Sequence, residues 1–142
     1  MPIDPALLEV HAYTEPGFRP LVDFDTWRVA VLNYCADLSV ENLHNMQRHD
    51  ETDEVFVLLK GRCVLFLGDG KDEAGRIQAI DLKPQTVYNV TRGTWHNHTL
   101  SEDASVLVIE NRNTTTDNSP FTILNTAQRA KLTTHTQRLW GS

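Results

Sequence analysis

Alternating apolar and polar positions run through most of the chain and predict β-strands. Residues 27–35 are rich in β-branched and aromatic side chains and are too irregular in helical period to favour a helix. In residues 54–59, Glu54, Phe56 and Leu58 fall on one face, and apolar side chains fill the other. Further short strands are predicted at residues 44–49, 63–67, 77–82, 87–90, 99–100 and 105–110.

Glycine-rich turns separate these short strands, which indicates an all-β sandwich or barrel. The strongest hairpin signal is Lys60-Gly61-Arg62, a tight turn between two apolar runs. It predicts that the strands at 54–59 and 63–67 pair with each other.

Helical segments are expected only near the two ends. Residues 4–10 predict a short helix with Asp4 as N-cap and Pro5 in the first turn. Prolines and a glycine then predict an irregular or edge segment at 11–25.

The C-terminal part changes composition after Asn111. Residues 113–120 predict a polar linker, residues 126–132 predict one or two helical turns capped by Thr126, and the last ten residues predict a tail.

Two stretches concentrate polar residues that can bind a metal. In residues 47–61, His49 and Glu54 flank a tight acidic turn, and an apolar run then stops at Gly61. In residues 91–96, a turn that contains Gly93 is followed by His96. Two imidazoles and one carboxylate around one point are the ligand set of a catalytic metal with open positions.

These stretches resemble the two motifs of the cupin family. The first family motif is His-x-His, four residues, Glu, six residues and Gly, and the second is Pro-x-Gly, two residues and His. His49, Glu54 and Gly61 match the first motif, and Gly93 and His96 match the second. The resemblance spans about residues 24–112 and implies a jelly-roll barrel, also called a double-stranded β-helix, with a metal held by the matching ligands.

The sequence departs from the family pattern at three positions. Gln47 stands in place of the first histidine, Thr91 replaces the proline, and Leu100 stands where the family often has asparagine. The amide oxygen of Gln47 could be a fourth ligand, although it binds less tightly than imidazole. The family includes dioxygenases, isomerases, lyases, storage proteins and sensors, so the resemblance leaves the function open.

The remaining histidines differ in their expected roles. His98 lies two residues beyond His96, hence on the same face of a regular strand, and could be a fourth ligand, a catalytic base or a partner of a ligand. His44 has the opposite parity to His49 and is expected at the surface. No role is assigned to His11 or His135.

Burial of Glu54 would require a cation or a hydrogen-bond network, because an unpaired buried carboxylate is costly. The donor set suits Fe(II), Mn(II), Ni(II) or Zn(II). Tyr88 and Trp95 are expected as core or rim aromatics. Arg48 and Arg92 are expected to point away from the barrel interior.

Composition fits one globular domain spanning residues 1–142, with a core at about 24–112. The chain is 40% hydrophobic and 23% charged, and apolar runs of five residues are too short to span a membrane. A net charge of −6 with dispersed Lys and Arg disfavours a nucleic-acid partner. Without a secretory signal, a cytoplasmic location is expected. Cys35 and Cys63 are expected to be core thiols.

Three functions remain open from the sequence. The first is a metal-dependent enzyme, such as a dioxygenase, isomerase or lyase, acting on a sugar derivative or an organic acid. The second is a metal-free binding or sensing module, and the third is a metal-free epimerase-like catalyst with His49 or His96 as general base. A homodimer that packs or exchanges the N-terminal segment is also expected.

Overall fold

The computed structural model describes residues 2–141, and two antiparallel five-stranded sheets form its framework. The strands in chain order are β1 (Gly17–Phe24), β2 (Trp27–Asn33), β3 (Asn45–Gln47), β4 (Glu54–Lys60), β5 (Cys63–Gly68), β6 (Ile77–Asp81), β7 (Tyr88–Val90), β8 (Trp95–Leu100), β9 (Ser105–Asn111) and β10 (Phe121–Ile123). One sheet has the order β1-β2-β9-β4-β7, and the other has the order β10-β3-β8-β5-β6. The predicted all-β class and jelly-roll barrel are therefore confirmed.

The main core lies between the two sheets. The alternation predicted for β4 is present, because Glu54, Phe56 and Leu58 are buried while Val55 and Val57 are less so. The same alternation in β9 buries its even-numbered positions. The buried apolar cluster includes Ala30, Leu32, Phe56, Leu58, Cys63, Leu65, Leu100, Val106 and Val108.

The predicted hairpin at Gly61 is wrong, because β4 and β5 belong to different sheets. β4 pairs with β7 and β9, whereas β5 pairs with β6 and β8. The turn therefore carries the chain from one sheet to the other. Gly61 has a φ of 73°, and a Cβ there would lie 2.5 Å from the Cα of Ala104. Only glycine fits this crossover without displacing the backbone.

The predicted N-terminal helix is wrong, because only a single turn forms. The backbone N–H of Ala6 donates to the Asp4 carboxylate at 2.9 Å, and that of Leu7 donates to the Asp4 carbonyl at 2.9 Å. Leu7 is 80% exposed, so no packing supports a longer helix. The irregular or edge segment expected within residues 11–25 contains a strand, β1, at the edge of its sheet, and its pairing with β2 shifts register between Pro20 and Val22. The homodimer stays a prediction.

The C-terminal part is more ordered than predicted. The linker contains a 3-10 turn at Thr116–Asn118 and leads into β10, which pairs with β3. The helix α1 (Thr126–Trp140) is capped by Asn125 rather than Thr126, and it includes most of the predicted tail.

Packing on the outer face of the second sheet explains the length of α1. Leu132 is fully buried, and Leu139 and Trp140 pack against the same cluster as Val64 and Phe66. Among residues 2–141, no helix combines the length and apolar character needed to cross a membrane.

Candidate metal centre

A cavity of about 300 Å³ lies between the two sheets. Residues of β1, β2, β4 and β9 form one wall, and residues of β3 and β8, with His49 just after β3, form the other. The segment 114–119, predicted as part of a linker, contributes the remaining lining. The size suits a small ligand.

Three of the four predicted metal ligands form one cluster in the cavity. His49, Glu54 and His96 are buried, with exposed fractions of 8%, 7% and 5%. Their donor atoms lie within 4.8 Å of one another. Both imidazoles face one carboxylate oxygen, because the distances to Oε1 of Glu54 are 3.2 Å from Nε2 of His49 and 2.8 Å from Nε2 of His96.

Contacts between the two motif loops hold these residues in register. The backbone N–H of Gly93 donates to the carbonyl of His49 at 2.8 Å. The Asp53 carboxylate accepts from the side-chain amide of Asn89 at 3.0 Å and from the backbone N–H of Arg92 at 2.8 Å. These hydrogen bonds, led by that of Asn89, lower the pKa of Asp53. The acidic turn and the glycine turn are thus joined directly.

Nδ1, the ring nitrogen that does not face Glu54, has a polar partner in each histidine. Nδ1 of His96 lies 3.0 Å from the carbonyl of Thr94, and Nδ1 of His49 lies 2.7 Å from the hydroxyl of Ser119. A carbonyl only accepts, so Nδ1 of His96 carries a proton and Nε2 is left to bind a cation. The donor set and its orientation therefore fit a divalent transition metal.

A second carboxyl adjoins the cluster and strengthens this fit. Burial acts to raise the pKa of Glu54, but hydrogen bonding with His49 and His96 holds that pKa well below its usual range. For Glu110, burial and the neighbouring Glu54 raise the pKa to about 7, against the opposing effect of Arg28. Nε and Nη2 of Arg28 donate to Glu110 Oε2 at 3.1 and 2.7 Å. A cation at the cluster would offset the repulsion between the two carboxyls.

His98 lies on the cavity wall, on the same side as His96 as predicted, but outside the three-residue cluster. Its ring centroid is 5.6 Å from that of Phe56. Burial and the neighbouring His96 lower the pKa of His98 to about 4, so its ring is neutral at neutral pH. Its Nδ1 is buried and has no hydrogen-bond partner within residues 2–141. Its role as a catalytic residue or fourth ligand stays a prediction.

Gln47 also lines the cavity and lies opposite His96 in the pairing of β3 with β8. Its amide nitrogen donates to the carbonyl of Ser119 at 3.0 Å. Its role as a metal ligand stays a prediction.

The other side chains beside the motifs lie outside the cavity. Trp95 is buried in the core, with the guanidinium of Arg48 4.8 Å from its ring centroid. Arg48 also forms an ion pair with Asp50. Tyr88 packs against the main core and accepts a hydrogen bond from the backbone N–H of Lys83. Cys63 is buried, as expected, whereas Cys35 is only half-buried.

Sequence reasoning missed several residues of the cavity. Glu110 could have been found, because it shares the inward parity of Val106 and Val108 in β9. Its partner Arg28 then follows from the pairing of β2 with β9. Ser119 carries no such signal, because it lies in an irregular polar segment whose path depends on the rest of the fold.

Comparisons with known proteins identify the fold. No family model and no curated protein matches the sequence. Among solved structures, the chain is similar to a cupin-2 domain protein of Shewanella frigidimarina, with a TM-score of 0.49, 19% identity, and coverage of 75% of this chain and 87% of that one. It is also similar to Pac13, a nucleoside dehydratase of Streptomyces, with a TM-score of 0.54, 9% identity, and coverage of 82% and 87%.

A third similar structure is an Fe(II) form of HppE, with a TM-score of 0.51 and 16% identity. The alignment covers 66% of this chain and 48% of that one, so the chain spans about half of that protein. At these identities the likeness shows the fold alone. That fold is the jelly-roll barrel predicted from the sequence.

Proposed function

We propose that the chain binds one divalent transition metal through His49, Glu54 and His96 and acts as a metal-dependent enzyme on a small polar molecule. Gln47 is the candidate fourth ligand. Fe(II), Mn(II), Ni(II) and Zn(II) all suit this donor set. When bound, the ion would supply Lewis acidity to a molecule in the cavity.

One observation carries this proposal: two imidazole Nε2 atoms converge on one buried carboxylate oxygen. Nδ1 of His96 faces a carbonyl and Nδ1 of His49 faces a hydroxyl, and each of the three donor residues is buried. Nε2 of His96 is left without a proton and faces a carboxylate oxygen that also accepts, so a proton or a cation is required at this point.

The cavity lining favours a small, partly polar substrate. Phe18 and Phe56 offer apolar faces, while Thr114, Thr115 and Thr116 line the cavity together with Gln47. A volume of about 300 Å³ is near the lower end of ligand sites, which suits a sugar derivative or an organic acid. Because the similarly folded Pac13 is seen with uridine, a nucleoside is a further probe.

A second candidate is a metal-free catalyst that uses a histidine as general base. The observation in its favour is that Nε2 of each histidine lies within hydrogen-bonding distance of Oε1 of Glu54, so a proton shared at this point could satisfy the cluster. Metal content distinguishes the two candidates.

The test is elemental analysis of protein purified without chelator. The parent is compared with a His49→Ala, His96→Ala double variant and with a His11→Ala, His44→Ala control that also loses two imidazoles. We expect near-stoichiometric metal in the parent and the control and none in the site variant. Loaded protein is then screened for turnover of sugar derivatives, organic acids and uridine under air and under nitrogen.

Two results would contradict metal binding at this site. One is metal retained by the site variant at the level of the control. The other is no metal in any protein after incubation with each of the four ions, which would favour the general-base candidate.

A further inference from the structure

The orientation of the His49 ring depends on a residue 70 positions further along the chain. Nδ1 of His49 lies 2.7 Å from Oγ of Ser119, and Ser119 is only 1% exposed. Because the two groups meet in the protein interior, water does not readily replace either partner. The direction of this hydrogen bond decides which nitrogen of His49 has a free lone pair.

The neighbouring Asn118 fixes that direction, because the orientation of its own side-chain amide is determined by two hydrogen bonds. Its Nδ2 donates to the carbonyl of Asn113 at 3.0 Å, and its Oδ1 accepts from the backbone N–H of Thr115 at 3.0 Å. The flipped amide would set oxygen against oxygen and N–H against N–H. Oδ1 of Asn118 is therefore an acceptor.

The hydroxyl of Ser119 lies 3.1 Å from this oxygen. A hydroxyl has one hydrogen, and an acceptor oxygen faces it on this side, so Ser119 donates to Asn118. A lone pair of Ser119 then faces His49, and Nδ1 of His49 must carry the proton. Nε2 of His49 is consequently the nitrogen left for a metal.

We propose that Ser119, oriented by Asn118, is a positioning residue that fixes the tautomer of His49 for metal binding. This inference rests on the proposed metal-binding function. In it, Ser119 accepts a hydrogen bond from Nδ1 of His49, as the Thr94 carbonyl does from Nδ1 of His96. A hydrogen-bond acceptor behind a ligating histidine fixes the ring and increases its basicity.

The test compares Ser119→Ala with the parent and with Thr136→Ala. The control removes another buried hydroxyl, which donates to the carbonyl of Leu132 in α1, on the far side of the second sheet. Zinc affinity is measured by competition with a chromophoric chelator, and the folding of the metal-free proteins is checked by thermal melting. We expect Ser119→Ala to bind zinc about 10- to 100-fold more weakly and the control to match the parent.

A spectroscopic readout separates positioning from a general loss of packing. In the zinc-loaded, ¹⁵N-labelled parent, we expect long-range ¹H–¹⁵N spectra to show a protonated Nδ1 in both His49 and His96. In Ser119→Ala, the Nδ1 proton of His49 should exchange faster with water, while that of His96 stays as in the parent.

The possible failures are distinguishable. A parent that binds no zinc would overturn the proposed function and, with it, this role of Ser119. Equal zinc affinities of the parent and Ser119→Ala would overturn the positioning role alone. A parent spectrum showing that zinc is bound through Nδ1 of His49 would do the same. The parent spectrum decides the tautomer even if Ser119→Ala fails to fold.

Discussion

The two histidines of the site are presented by segments of different construction. His96 is oriented by the carbonyl of Thr94, two residues away within its own motif. His49 is oriented by Ser119, which lies between β9 and β10 and is 70 residues further along the chain. The second motif thus supplies its own support, whereas the first depends on a distant segment. A short sequence motif can contain a metal ligand without containing the residues that orient that ligand.

The glycines of the two motifs also differ in whether a distant residue packs against them. Gly61 of the first motif is pressed against a remote residue, Ala104, whereas Gly93 of the second motif has open space where a Cβ would stand. Both have positive φ values, 73° and 81°. The first glycine is therefore required by tertiary packing and conformation, and the second by conformation alone.

The largest expected effect is the difference between Gly61→Ala and Gly93→Ala. The Gly61 variant combines an unfavourable φ with a Cβ 2.5 Å from the Ala104 Cα, so we expect its free energy of unfolding to fall by about 3 kcal/mol or more. Gly93→Ala should lose about 1 kcal/mol, from conformation alone. Urea unfolding measures both values.

Gly17→Ala is the control for conformational strain away from the site. Gly17 has a φ of 98° and no atom within 4 Å of a built Cβ. It should resemble Gly93→Ala in stability. Equal losses in the Gly61 and Gly93 variants would show that the crossover is not tightly packed.

A smaller effect is expected from loosening the segment that supports His49. Thr115 caps the Thr116–Asn118 turn with a capping box, and Asn125 caps α1 with another. Replacing either residue with alanine should cost about 1 kcal/mol of stability. Only Thr115→Ala should weaken zinc binding, and by less than Ser119→Ala, because it loosens the turn that contains Asn118 but keeps the backbone N–H that donates to the Asn118 amide. Chelator competition and thermal melting measure the two quantities.

The Asn125→Ala control makes this comparison specific. If both cap variants weakened zinc binding equally, the effect would reflect global stability. The support of His49 would then not be local to residues 115–119.

The smallest expected effect concerns the Cys63 thiol, two residues beyond Gly61. Burial and the nearby charge of Asp81 raise the pKa of Cys63 to about 12, so this thiol should react very slowly with a disulfide reagent at pH 8. In a Cys35→Ser background it is the single thiol. Gly61→Ala should speed its reaction, whereas Gly93→Ala should not. Equal rates in the two variants would contradict a local effect at the crossover.

The sequence predicted the parts of the molecule that depend on local periodicity. The inward positions of β4 and most of the strands followed from alternation, and the three donors of the cluster followed from the resemblance to the cupin motifs, whereas β10 was not predicted. The partner of β5 did not, because apolar residues on both faces and a glycine turn are compatible with a hairpin or with a crossover between sheets.

The C-terminal half of α1 was missed for another physical reason. Residues 133–138 are mostly polar, and the helix is stabilised by a few contacts, such as Leu132 and Trp140 against the sheet. Ser119 could not be predicted either, because its place beside His49 depends on the pairing of β10 with β3.

The contact between His49 and Ser119 also has a consequence for protein synthesis. The ribosome makes the chain from its N-terminus, so His49, Glu54 and His96 all emerge before Ser119. A nascent chain that ends before residue 119 has every donor of the cluster but lacks the hydroxyl that orients one of them. The hydroxyl that orients His49 is therefore added only after all three donors have been synthesised, and truncated chains released before that point lack it.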